Sequence, residues 1–146
     1  MESSQIQLVT QMTFIQNEFE RYMRKKMKNK NIEITRVRFG ILHQINQTGS
    51  LHQQLLADWN NITPQAVHRH VKLLEESGYL KKKPGRDARS YEISLTPSGK
   101  KLISESEKIL VTAVKEFFKN LSIQEVETIT KLLSKVKTFD ISGYCK

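Results

Sequence analysis

The 146-residue chain has a single cysteine, Cys145, so no internal disulfide can staple it. No stretch approaches 18 consecutive apolar residues, which excludes a membrane-spanning helix of the usual kind. The opening residues, MESSQIQLVTQ, have neither the basic start nor the apolar run of a secretion signal, and a cytoplasmic location is expected. Neither G-x-x-x-x-G-K-[ST] nor G-x-G-x-x-G occurs, so no loop of those types cradles a nucleotide phosphate. Histidines number four, but His68 and His70 stand two apart and diverge on a helix, while His43 and His52 fall on different expected helices. A metal site needs three or four converging ligands, so no metal and no other cofactor is expected. Proline is scarce at three residues, and each one marks a boundary: Thr63-Pro64, Pro84-Gly85 and Thr96-Pro97.

What the chain does have is positive charge. It carries 24 Lys and Arg against 15 Asp and Glu, a formal net charge of +9. Residues 63–101 hold nine of those cations and four acids, so more than half of the excess lies in that one segment. A concentrated basic segment suits contact with a polyanion, where counterion release favours binding. With 38% hydrophobic and 27% charged residues, the composition suits a soluble, helix-rich protein of one domain, 1–146.

The segment from Leu55 to Leu102 explains where that charge goes. Thr63 can cap a helix with its hydroxyl, and Pro64 fits the first helical position, where no amide hydrogen is needed. Ile62 and Val67 are spaced as a hydrophobic staple, and the helix is expected to run to Ser77 before Gly78 stops it. Val67, Val71 and Leu74 form one apolar stripe; Gln65, His68, Arg69 and Lys72 fall on roughly the opposite face. Leu55, Leu56, Ala57 and Trp59 suggest a short preceding helix, and Asn60-Asn61 can supply a turn residue with positive φ. Two short helices about a tight turn, the second basic, form a helix-turn-helix pattern.

After Gly78 comes a hairpin. Tyr79-Leu80 opens a strand, Lys81-Lys82-Lys83 follows, and Pro84-Gly85 makes the turn. Tyr91, Ile93 and Leu95 then alternate with Ser90, Glu92 and Ser94, the period of a half-buried strand. Arg86, Asp87 and Arg89 lie between the strands, and an arginine-bearing hairpin tip can reach a narrow minor groove. On this reading Thr63, Gln65, Ala66, His68 and Arg69 face the major groove of DNA. Lys72, Lys81, Lys82 and Lys83 meet phosphates, and Arg86, Asp87 and Arg89 form the tip of the wing.

These residues carry a family resemblance. Leu56-Ala57, the helix 63–77, Gly78-Tyr79-Leu80, and the run Asp87-Ala88-Arg89-Ser90 followed by Leu95-Thr96-Pro97-Ser98-Gly99 resemble the multiple-antibiotic-resistance regulator (MarR) family. The resemblance implies a bacterial, homodimeric transcription factor with one winged helix per subunit on a pseudo-palindromic operator. It implies further that Arg89 enters the minor groove while Asp87 holds it in place, and that helix 63–77 lies in the major groove. Departures from the pattern are a wing tip about one residue short and His52 at a place often taken by Ser or Thr. Asn60-Asn61 also replaces a Gly-containing turn. Ser50 with Gln53 is expected to form a capping box in place of the missing cap.

The flanks read as helices. Leu8, Met12, Ile15, Phe19 and Tyr22 mark a long amphipathic helix that fades in the basic run Arg24 to Lys30. Thr35 can cap the next, with Ile34 and Phe39 as its staple. Val37, Phe39, Ile41, Leu42 and Ile45 form its packing face, and Gly49 its end. Beyond the wing, Ile103, Leu110, Ala113 and Phe117 share one stripe, and a last helix opening near Ser122 carries Val126, Ile129, Leu133 and Val136. One winged-helix core does not need three more long amphipathic helices, so a second copy of the chain is the economical partner.

The expected fold is mainly α with a small β-hairpin wing. A winged helix-turn-helix lobe at 34–95 is flanked by dimerisation helices at 5–30 and 97–139. The expected function is a ligand-responsive repressor that binds double-stranded DNA as a homodimer, with a small-molecule effector between the dimer helices and the DNA-binding lobe. No catalytic residues are expected. An alkyl-transferase would need a reactive cysteine beside the recognition helix, and Cys145 follows the last helix. The alternative is a winged helix serving as a protein-interaction scaffold or an RNA-binding module.

Overall fold

The computed structural model describes residues 2–86 and 91–136. Along the chain run α1 (Glu2–Asn29), α2 (Arg36–Thr48), α3 (Gln53–Asn60), α4 (Pro64–Glu76), β1 (Leu80–Pro84), β2 (Tyr91–Leu95), α5 (Pro97–Phe117) and α6 (Ile123–Leu133). They form two compact units, one within 27–108 and one built from the described residues before 27 and after 108. Among the described residues the fold is thus mainly helical, with one antiparallel hairpin.

The unit within 27–108 packs α2, α3 and α4 around a core of Ile41, Leu42, Ile45, Leu56, Ala57, Val67, Val71 and Leu74, all buried. The expected packing residues Val37 and Phe39 of α2 are half-buried beside it. The hairpin closes one side: Leu80 and Leu95 face each other across the ladder and are both buried. Lys81 pairs with Ser94, Lys82 with Ile93, Lys83 with Glu92 and Pro84 with Tyr91. Pro84 is therefore the last residue of β1 and the turn begins after it, a correction to the expected Pro84-Gly85 turn. Tyr79 also lies just outside the strand.

Local signals set most helix ends. Thr35 caps α2 by accepting the Arg38 amide at 3.3 Å, and Gly49 ends that helix at φ 68° with its amide on the Ile45 carbonyl. Thr63 caps α4 by accepting the Ala66 amide at 3.1 Å. Helix α4 stops at Glu76, with Ser77 as its cap and Gly78 at φ 78°.

The start of α3 departs from the expected Ser50/Gln53 capping box. His52 stands at the N-cap without a side-chain cap bond, and its amide donates to Gln44 Oε1 at 2.8 Å. Gln44 is only 3% exposed, so the α3 terminus is satisfied from inside α2. Ser50 Oγ instead lies 3.2 Å from Thr48 Oγ1.

The junction between hairpin and α5 is tight. The Thr96 hydroxyl donates to the Gly78 carbonyl at 2.6 Å and accepts the Gly99 amide at 3.0 Å, while the Thr96 amide donates to the Tyr79 carbonyl at 3.1 Å. A Cβ on Gly99 would stand 2.1 Å from that Tyr79 oxygen, so only glycine fits. Further along α5, Ile103 and Ser106 are fully buried, and His43 Nδ1 lies 2.9 Å from Glu107 Oε1. Phe39 stacks on the His43 ring, consistent with the satisfied core-edge histidine its position suggests.

In the other unit, Phe19 and Tyr22 meet Phe117 edge-on at 5.1 and 5.5 Å. Helix α6 opens with a capping box in which Ser122 and Glu125 satisfy each other's backbone amides. These hydrogen bonds hold the Glu125 carboxyl below its usual range. Helix α1 starts earlier than its apolar pattern and runs through the basic stretch. Met27 in that stretch is buried, and Asn31 at φ 55° follows the helix end. The apolar stripes of this unit are largely uncovered: Ile6 is 67% exposed, Phe14 66% and Ile123 73%, and Leu8, Met12, Ile15, Ile129 and Leu133 are exposed too. Val136 lies beyond the end of α6 and is exposed as well. No described helix is long and apolar enough to cross a membrane.

Candidate nucleic-acid interface

Helix α4 owes its direction to the turn before it. Asn61 adopts the left-handed conformation at φ 53°, which an Asn tolerates because its short polar side chain bonds locally. The Ile62 amide then reaches the Ala57 carbonyl at 3.0 Å, which closes the turn. With Val67, Val71 and Leu74 buried, helical geometry turns Gln65, His68, Arg69 and Lys72 outward, and all four are exposed. They lie within about a third of the helix circumference at 100° per residue. Such a surface presents amide, imidazole, guanidinium and ammonium groups together. Glu76 falls on the same face, with its carboxylate 3.9 Å from Lys72 Nζ.

The remaining expected major-groove positions are partly engaged at the helix start. Thr63 is exposed, but its oxygen already accepts the Ala66 amide, and Ala66 is half-buried. On the hairpin, Lys81, Lys83 and Arg86 are exposed. Lys82 differs, because its Nζ lies 3.3 Å from Glu75 Oε2 at the end of α4. Asp87 and Arg89, expected at the wing tip, lie outside the described residues, as does Cys145.

Two groups, one on α4 and one on α2, carry no sequence signal of their own. His70 is half-buried and its buried Nδ1 has no hydrogen-bond partner among the described residues, and the buried Nε of Arg38 in α2 is in the same condition. Burial lowers the His70 pKa from the usual 6.5, and the positive charges of Arg38 and Arg69 lower it further. Burial and the two guanidinium charges thus favour the neutral imidazole. Their proximity depends on the packing of α2 against α4, which no spacing in the sequence encodes. Among the described residues no group of three or more His, Cys, Asp or Glu could hold a metal ion.

The arrangement can press a polar helix face into a groove and lay a basic hairpin alongside. Residues 32–90 match the model of the MarR family. The crystal structure of a mutant MarR from E. coli complexed with operator DNA is 22% identical, covers 92% of this chain and 96% of its own, and superposes with a TM-score of 0.75. The reduced form of E. coli MarR is 23% identical, with 90% and 96% coverage and a TM-score of 0.67. A MarR transcriptional regulator from Methanosarcina mazei Go1 is 23% identical, with 87% and 91% coverage and a TM-score of 0.68. At these identities the structural likeness carries the fold.

Proposed function

We propose that the chain, whose residues 32–90 match the MarR family model, is a DNA-binding transcriptional regulator of that family acting as a homodimer on a pseudo-palindromic operator. The observation that carries the proposal is the exposed face Gln65, His68, Arg69 and Lys72 on a helix held by a helix-turn-helix turn and flanked by a basic hairpin. The neighbour complexed with operator DNA supports the same reading. Helix α4 enters the major groove, with Gln65, His68 and Arg69 at base edges and Thr63 and Ala66 at the helix start. Arginine and glutamine suit this work because each can make two parallel hydrogen bonds to a purine edge.

Lys72, Lys81 and Lys83 meet phosphates. Lys82, whose ammonium faces Glu75, is not in that set. Arg86, Asp87 and Arg89 serve the minor groove, with Asp87 orienting the Arg89 guanidinium through a charge-assisted hydrogen bond. The exposed apolar faces of α1 and α6 supply the dimer contact. The protein acts as a cytoplasmic repressor and carries out no catalytic step. A small-molecule effector relieves repression by changing the separation of the two recognition helices. DNA fixes its half-sites about one turn apart, so a small change in that separation costs affinity.

Selection of bound fragments from genomic DNA tests the proposal, followed by gel shifts with the selected duplex and with RNA of the same sequence. Duplex preference and a shared palindromic motif are expected. If a dimer neutralises roughly 6–10 phosphates, affinity should fall on the order of 10³–10⁵-fold between about 50 and 200 mM salt. Equal binding of RNA, or a flat salt response, would refute it.

A further inference from the structure

The three consecutive lysines of β1 are not equivalent. Strand geometry sends alternate side chains to opposite faces, so Lys82 shares a face with buried Leu80, while Lys81 and Lys83 point the other way and are exposed. Opposite Lys82 in the ladder stands Ile93, itself half-buried. The Lys82 side chain is only 26% exposed, and its Nζ ends 3.3 Å from Glu75 Oε2. Its apolar stem thus lies along the hairpin's inner face while the ammonium reaches the last turn of α4. Glu75 is itself partly covered, at 36%. The pair joins the end of the recognition helix to the strand that carries the wing, across a contact that α4 and β1 already make.

We propose that Lys82 serves DNA binding as a positioning residue acting through Glu75, holding the hairpin at a set angle to α4, and that it does not contact phosphate. The inference rests on the DNA-binding reading given above. It makes Glu75, an acid beside a polyanion-binding surface, a residue that favours binding. Removing an acid from such a surface ordinarily strengthens attraction to DNA. Removing Glu75 should do the reverse, because the wing loses its tether.

The test uses the full chain with four changes: Lys82→Met, Glu75→Gln, the exchange Glu75→Lys with Lys82→Glu, and Lys82→Arg. Two readouts are taken. Amide hydrogen exchange of 80–84 and 91–95 is followed in the free protein. Affinity is measured for a duplex selected by the wild-type chain from a random-sequence library, at fixed salt. Both single neutralisations should speed exchange in the hairpin and weaken duplex binding by about two- to fivefold, the range of a partly exposed ion pair. Lys82→Arg should match wild type, and the charge exchange should recover most of both losses.

A phosphate contact at Lys82 predicts the opposite pattern: Glu75→Gln tightens binding, the exchange weakens it more than Lys82→Met alone, and hairpin exchange stays unchanged. That result would overturn the proposal. If the wild-type chain selects no duplex, the DNA-binding reading fails and this inference fails with it. Faster hairpin exchange in the two neutralised variants would then show that the ion pair is real and that the fault lies in the functional premise. Thermal melts of every variant show that the chain still folds, and Lys82→Arg keeps the comparison available if Lys82→Met does not.

Discussion

At the scale of single residues, position on α4 should decide what each side chain contributes. Gln65 and Arg69 lie in the first half of the helix, so Gln65→Ala and Arg69→Ala should cost roughly 1–3 kcal/mol of specific binding with relaxed sequence preference. Lys72 sits further along and already lies 3.9 Å from Glu76, so Lys72→Ala should weaken all sequences alike and modestly. Equal, sequence-independent losses at all three would refute this division, and binding measured on a set of single-base operator variants decides it. The wing pair makes a second test. Asp87→Ala removes a negative charge, so a merely neutralising Asp87 would tighten binding when deleted. The positioning role predicts weaker binding, with the double mutant little worse than Arg89→Ala. Fluorescence anisotropy on one operator reads the sign directly. His70 adds a pH dependence. Because its folded pKa is lowered by burial and by Arg38 and Arg69, the unfolded chain takes up this proton first as pH falls below about 6.5. Stability should therefore decline with falling pH from that point until folded His70 also protonates, and be fully present above it. An NMR titration midpoint for His70 at or above 6.5 would remove the premise, and His70→Gln should flatten the pH profile of urea unfolding.

At the scale of elements, the α4–β1 turn, the start of α5 and Gly99 form one joint. Thr96 ties Gly78 and Tyr79 to the first turn of α5, and Gly99 lets the backbones meet. Gly99→Ala should cost about 2–3 kcal/mol, because the added methyl meets backbone oxygen and not the yielding end of a side chain. Urea unfolding measures this, and a midpoint unchanged from wild type would show that the joint has slack. In the sequence Thr96-Pro97 stands only as an element boundary and Gly99 only as part of the family-like run. The collision with Tyr79 involves a residue 20 positions earlier and becomes visible only when the hairpin folds back. Helix α3 shows the converse error. Ser50 and Gln53 have the spacing of a capping box, yet Gln44 reaches the terminus first, because burial in α2 holds its amide oxygen 2.8 Å from the His52 nitrogen.

At the scale of the whole molecule, the uncovered apolar residues of α1 and α6 set the expectation. Ile6, Val9, Phe14, Ile123 and Leu132 are each more than half exposed in a single chain. Burying such side chains is worth on the order of 1.5–3 kcal/mol each, so a second copy of the chain should be strongly favoured. Sedimentation equilibrium at micromolar concentration should return about twice 17.0 kDa. A monomer under those conditions would remove the dimer and, with it, the palindromic operator.

Signals that act within about four residues were legible in the chain itself. Thr35 and Thr63 cap the helices they were expected to cap, the last helix opens after Ser122 where it was expected to, and Gly49, Gly78 and Asn61 take the left-handed turns. The α4 stripe of Val67, Val71 and Leu74 is buried, which leaves the polar face of that helix outward. Such features depend on backbone geometry and on side chains already adjacent in the chain, so spacing alone determines them. Tertiary structure decided what spacing cannot carry. Lys82 turns to Glu75 while Lys81 and Lys83 do not, Ser106 is buried inside the α5 stripe, and His70 is enclosed beside Arg38. Each of these outcomes depends on which distant segment excludes water from the group. A solvated side chain and a desolvated one have the same letter in the sequence, and only the packed neighbour distinguishes them.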